Sequence, residues 1–118
     1  MPTGDLRQRT KFFALEAIKA IDKLPQGRTT DIVGRQLLRS ATSVGANYRA
    51  ACMARSRADF IAKMGIVQEE VDESTYWIEI LIESGIVQPE ELGALKQEGI
   101  EILSMAISSI KTARKNRP

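Results

Sequence analysis

Apolar side chains return at intervals of three and four along nearly the whole chain, the spacing that places them on one side of an α-helix. The first such stretch predicts a helix over residues 5–24, with Leu6, Phe13, Ala17, Ile18, Ala20, Ile21 and Leu24 turned inward and Pro25-Gln26-Gly27 as its stop. A second helix is predicted over residues 31–54, with Thr30 as its N-cap. Val33, Leu37, Ser40, Val44, Asn47 and Ala51 share one stripe of it, and Arg35, Arg39 and Arg49 another. Gly34 and Gly45 lower helix propensity and suit places where another backbone comes close. Ser43 and Asn47 are expected to act as polar helix-packing residues, Asn47 fixing register through hydrogen bonds.

Ser56-Arg57-Ala58-Asp59 reads as a variant of the capping box and opens a third helix over residues 58–84. In it Phe60, Met64, Val67, Val71, Ser74, Ile78 and Leu81 step alternately by four and three, the seam of a bundle helix, and Ile61, Trp77, Ile80 and Ile82 widen the apolar surface. Ser84-Gly85 ends it. Pro89, followed by Glu90 and Glu91, suits the first turn of a fourth helix over residues 89–114 that carries Leu92, Leu95, Ile100, Ile102, Leu103, Ala106, Ile107 and Ile110. No stretch alternates as a strand does. Short connections force consecutive helices to turn back on one another, so the expected fold is all-α, an antiparallel up-down-up-down four-helix bundle spanning residues 1–118 as a single domain.

The composition suits that size: 118 residues, 43% hydrophobic and 27% charged. No apolar run reaches the length of a membrane span and no secretory leader pattern is present, so a cytoplasmic location without membrane attachment is expected. The single cysteine, Cys52, has no internal disulfide partner and, among Ala50, Ala51 and Met53, is expected to be a small buried hydrophobe. Histidine is absent. That removes Ser-His and Cys-His nucleophile pairs, histidine bases, the usual zinc sets and the Glu-x-x-His pairs of di-iron bundles. Glu69, Glu70, Asp72 and Glu73 are too close along one helix to converge on magnesium. No catalytic residue, metal or cofactor is expected, and the chain reads as non-enzymatic.

Charge is less even than the net of +2 implies. Residues 1–65 hold twelve Lys or Arg against five Asp or Glu, and residues 66–110 hold one Lys against ten acids. Glu69, Asp72, Tyr76, Glu79 and Glu83 form an acidic stripe on the third helix. It is either a solvated face or a surface that docks on the arginine stripe of another copy, with Tyr76 and Trp77 anchoring a core or subunit interface. Arg35, Arg39, Arg49, Arg55, Arg57 and Lys63 are candidate phosphate contacts, joined by Arg28 and the tail residues Lys111, Arg114, Lys115 and Arg117. No aromatic residue is interleaved among them as a stacking platform, and no nucleic-acid reading motif is present.

Three segments carry a resemblance: Gln36 through Asn47, Arg55 through Ile61, and Glu70 through Leu81 with Tyr76-Trp77. Together they resemble the four-helix-bundle family named after proteins encoded in intervening sequences of bacterial 23S ribosomal RNA, over roughly residues 10 to 110. That family includes the accessory variability determinants of diversity-generating retroelements, basic barrel-shaped homopentamers that bind nucleic acid and a reverse transcriptase. The resemblance implies helix-packing and polar contacts for Arg39, Ser43 and Asn47. Ala50 stands where many members have a glutamate, so an Asn-Glu network does not carry over.

The expectation is a homo-oligomer, a pentamer by resemblance, that binds RNA or a ribonucleoprotein partner through its arginines. The rival expectation is a protein adaptor acting through the acidic third helix. A helical ribonuclease is a further alternative, disfavoured by the missing histidine.

Overall fold

The computed structural model describes residues 5–116. Four helices follow in order, α1 (Leu6–Asp22), α2 (Arg28–Cys52), α3 (Arg57–Glu83) and α4 (Pro89–Lys115). Each packs against its two neighbours in the cyclic order α1, α2, α3, α4, and among the described residues the diagonal pairs do not pack. Cross-chain contacts set the directions. Gly45 lies against Thr10 while Gly34 lies against Ile21 and Leu24, so α2 runs opposite to α1. Arg57 at the start of α3 donates to the carbonyl of Asn116 just past α4, and Thr75 meets Gly99 midway, so α3 and α4 are antiparallel. The bundle is 53 Å long and 24 by 20 Å across.

The helix ends follow local chemistry. Asp5 caps α1, its carboxylate accepting from the Gln8 N–H at 3.1 Å. Ser56 caps α3 by accepting from Asp59 N–H at 3.0 Å, and the Asp59 carboxylate in turn accepts from Arg55 N–H at 3.3 Å. Gln88 N–H donates to the Glu91 carboxylate at 2.6 Å as Pro89 starts α4. Gly85, at φ +80°, provides the left-handed turn that lets Val87 N–H reach back to the Leu81 carbonyl.

Two boundaries differ from expectation. α2 begins three residues early, with Gly27 as cap and its carbonyl accepting from Asp31 N–H at 2.9 Å; Thr30 therefore sits inside the first turn, buried, rather than capping it. α1 stops at Asp22 because the amides of Lys23 and Leu24 bond three residues back, to Ala20 and Ile21, which tightens the last turn.

The core consists largely of the predicted stripes. Leu37, Ser40, Val44, Met64, Val67, Val71, Ser74, Ile78, Leu81, Ile102 and Ala106 are fully enclosed. The expectation for Cys52 is corrected: it is exposed. Ala51 occupies the packing stripe, and one further residue turns the helix by about 100°, carrying the thiol outward. Ile18 and Ile100 are exposed by the same rotation, next to buried Ala17 and Gly99. Gly99 marks the closest approach at any described glycine, for a Cβ there would lie 2.9 Å from Thr75 Cγ2 and 3.3 Å from Phe13 Cε1.

Candidate nucleic-acid interface

Antiparallel alternation brings the start of α1, the α2–α3 connection and the end of α4 to one end of the rod. Arg7, Arg49, Arg55, Arg57, Lys111, Arg114 and Lys115 gather there against two acids, Asp5 and Asp59. The opposite end carries Asp22, Asp31, Glu79, Glu83, Glu90 and Glu91 with fewer cations. Charge divided along the sequence thus becomes charge divided along the long axis.

The predicted phosphate contacts separate into groups. Arg39 does not present a free cation. Its Nη1 donates to Glu70 at 2.9 Å, its Nη2 reaches both Glu70 and Glu73, and these two carboxylates hold its pKa above the ordinary arginine value. Glu73 is pushed below the usual carboxylate range, first by the Trp77 indole N–H at 3.0 Å and then by Arg39. Lys63 pairs with Asp59 at 2.8 Å, and that ammonium, with the Arg55 backbone amide, lowers the Asp59 pKa. Arg57 is turned toward the Asn116 carbonyl. Arg35 stands toward the other end, beside a hollow of about 380 Å³ formed with Ile21, Leu24, Pro25, Gly34 and Leu38. Arg117 lies outside the described residues.

Arg49 has different company. Together with Arg7 and Lys11 of α1 it borders a groove of about 390 Å³ whose floor is Thr10, Ala14, Thr42, Gly45 and Ala46. Arg7, Lys11 and Arg49 have no ion-pair partner among the described residues. Neither Arg7 nor Lys11 is among the phosphate contacts expected from sequence, which lie on α2, α3 and the tail. Their i, i+4 spacing on the polar side of α1 is the signal that marks them.

The candidate subunit-interface residues on α3 are also spread out. Tyr76 is 52% exposed, its ring edge-to-face with Trp77 at 5.0 Å between centroids. Glu69 and Asp72 are exposed, Trp77 is half-buried and tied to Glu73, and Glu79 pairs with Lys96 of α4 at 3.4 Å. Half-buried Asn47 donates to the Ser43 carbonyl at 2.8 Å, a bond within its own helix and not across to a neighbour. A polar contact that does join two helices within the core is Ser74 Oγ to Ser40 Oγ, 2.9 Å.

One buried ion pair is absent from the sequence-based expectations. Glu98 is 4% exposed and accepts from Arg9 Nε at 2.9 Å and Nη2 at 2.6 Å, and Nη2 also reaches Glu101 at 2.9 Å. Both carboxylates raise the Arg9 pKa, and Arg9 in turn lowers that of Glu101. Glu98 lies three residues beyond Leu95 and four before Ile102, on the apolar ladder of α4, and that position is the clue to its burial. Burial, and next the Cys52 thiol, push the Tyr48 phenol up to about 12. Among the described residues no three His, Cys, Asp or Glu side chains are grouped to hold a metal ion, and no described helix is long and apolar enough to cross a membrane.

The fold and its surface define a class: an antiparallel four-helix bundle polarised in charge along its axis. The chain belongs to the 23S rRNA-intervening sequence protein family, whose pattern matches residues 4–108. It is similar to the crystal structure of a protein of unknown function from the S23 ribosomal protein family of Bacteroides thetaiotaomicron, with 34% identity, a TM-score of 0.85 and coverage of 91% of this chain and 99% of that one. No curated protein matches it.

Proposed function

We propose that this chain is a non-enzymatic, cytoplasmic, self-associating bundle that binds RNA, free or within a ribonucleoprotein, through the cationic end and the adjoining α1/α2 groove. One observation carries the reading: Arg7, Lys11 and Arg49 converge on a concave surface with no carboxylate to neutralise them. Phosphate backbones are recognised by such clusters without regard to sequence. The groove floor has no aromatic residue, so contact is with backbone and not with stacked bases. Exposed Ile66 and Tyr76 among Glu69, Asp72 and Glu83 supply a face for a second copy, and membership of the family favours a homopentamer.

Anisotropy of a labelled RNA titrated at several salt concentrations tests the proposal. Substitution by Ala at Arg7, Lys11, Arg49 or Arg55 removes one phosphate-binding cation each, and each is expected to reduce the slope of log K against log salt by about 0.7 for a single strand. Arg39→Ala, already neutralised by two acids, leaves the slope unchanged. Absence of binding at low salt, or a slope indifferent to the four substitutions, overturns the reading. Light scattering reports the oligomer: a monomer at micromolar concentration removes the self-association element. The adaptor reading, favoured by the exposure of Tyr76 in its acidic setting, requires that Tyr76→Ser abolish a protein contact while RNA binding is nil.

A further inference from the structure

A second, shallower hollow borders the cationic end, on the flank away from the α1/α2 groove. Phe60 of α3 and Ser108, Ser109, Thr112, Ala113 and Asn116 around the end of α4 form a cleft of about 410 Å³. Ser108 and Thr112 are exposed and Ser109 is half-buried. Elsewhere in the bundle Thr10, Ser40, Ser74 and Thr75 donate to carbonyls of their own helix or to each other. The three cleft hydroxyls make no hydrogen bond among the described residues, so each retains a donor and two acceptor positions for a ligand. No carboxylate lines the cleft. Lys111 and Lys115 follow on the same turns of α4, and the Arg57 guanidinium is held at the mouth by the Asn116 carbonyl.

Hydroxyls of that number, beside cations and a half-buried phenylalanine, match a sugar-phosphate unit more closely than an isolated phosphate. The ribose 2′-hydroxyl is both donor and acceptor, and it is the atom group that separates RNA from DNA at a given contact. We propose that this α3/α4 cleft reads the 2′-hydroxyl, so that the protein prefers RNA to DNA of the same sequence. The inference rests on the phosphate-binding reading above and adds the chemical class of its ligand. Cations at the rim supply affinity that any nucleic acid shares, and Ser108, Ser109 and Thr112 supply the discrimination.

Binding of single-stranded RNA, 2′-O-methyl RNA and DNA of one sequence is measured with the full chain and with Ser108→Ala/Ser109→Ala/Thr112→Val. These substitutions fall at exposed or half-buried positions of a long helix, and circular dichroism checks that helicity is retained. One net hydrogen bond corresponds to about a tenfold preference of the unaltered protein for RNA over both analogues. In the variant that ratio falls toward one while the salt slope stays the same. Equal affinities of the unaltered protein for RNA and DNA, or a variant that keeps its preference, overturn the inference and leave phosphate binding standing. Failure of the unaltered protein to bind any of the three at low salt overturns the phosphate-binding reading itself.

Discussion

Replacing Arg9 by Met keeps the aliphatic stem against α4 and removes the guanidinium that serves Glu98. At 4% exposure the abandoned carboxylate has no water to replace two charge-assisted bonds of 2.9 and 2.6 Å. Breaking one side of a buried ion pair costs about 3–5 kcal/mol. Glu101, half exposed, is deprived of a partner too but contributes little, since exposed pairs contribute roughly 0–1 kcal/mol. The effect is magnified by location, for α1 and α4 share the least extensive of the four helix interfaces. Against a total stability of about 5–15 kcal/mol the loss is large, and it lowers the melting temperature by roughly 10–25 °C. Arg9→Met/Glu98→Leu, which removes both charges, is expected to regain most of it. Denaturant unfolding of the two single variants and the double closes a cycle whose coupling energy isolates the pair. A loss under about 1 kcal/mol for Arg9→Met, or a double variant no more stable than that single one, would refute the account.

Three further outcomes follow from the same contacts. Gly99→Ala drives a Cβ into Thr75, whose hydroxyl is already tied to the Asp72 carbonyl at 2.7 Å, so overpacking outweighs the gain in helix propensity and stability falls by about 1–2 kcal/mol; Gly93→Ala, into open space, raises it by about 0.5–1 kcal/mol, both read from urea midpoints. The depressed pKa values of Asp59, Glu73 and Glu101 mean that the unfolded chain takes up protons first, so their contribution is present above about pH 4 and lost as pH falls through the lower folded values; Arg39→Ala with Trp77→Phe should flatten the acid limb of a stability-pH curve at Glu73. For Tyr48 the direction is opposite: the neutral phenol is favoured by folding, its absorbance change should come near pH 12, and stability declines as pH rises above about 10, whereas an ordinary tyrosine titration would show that its partial burial does not disfavour the phenolate.

Much of this molecule is legible in its residue order. Periodicity alone predicts four helices, their number and nearly their limits, because a 3.6-residue repeat records which side of each rod must leave water, and the seam from Met64 to Leu81 is buried as that repeat requires. Missing histidine bears on chemistry without any coordinates. Where expectation and structure part on burial, neighbouring residues competed for one position: Cys52 beside Ala51 and Ile100 beside Gly99. Pattern cannot choose between them because about 100° of helical rotation separates adjacent side chains, and the partner helix decides which one faces in.

Pairing across the chain is of another kind. That Arg39 is neutralised by Glu70 and Glu73, that Glu98 is buried under Arg9, and that Ser40 meets Ser74 all depend on contacts between residues 31 to 89 positions apart. The cationic end exists only because antiparallel packing brings residues near 7, 49, 57 and 114 together. Sequence therefore determined the rods and their inner faces, which are local consequences of side-chain spacing and water. Tertiary structure decided which charges cancel and which remain to meet a partner, since Coulomb interactions depend on distances that only the assembled bundle sets.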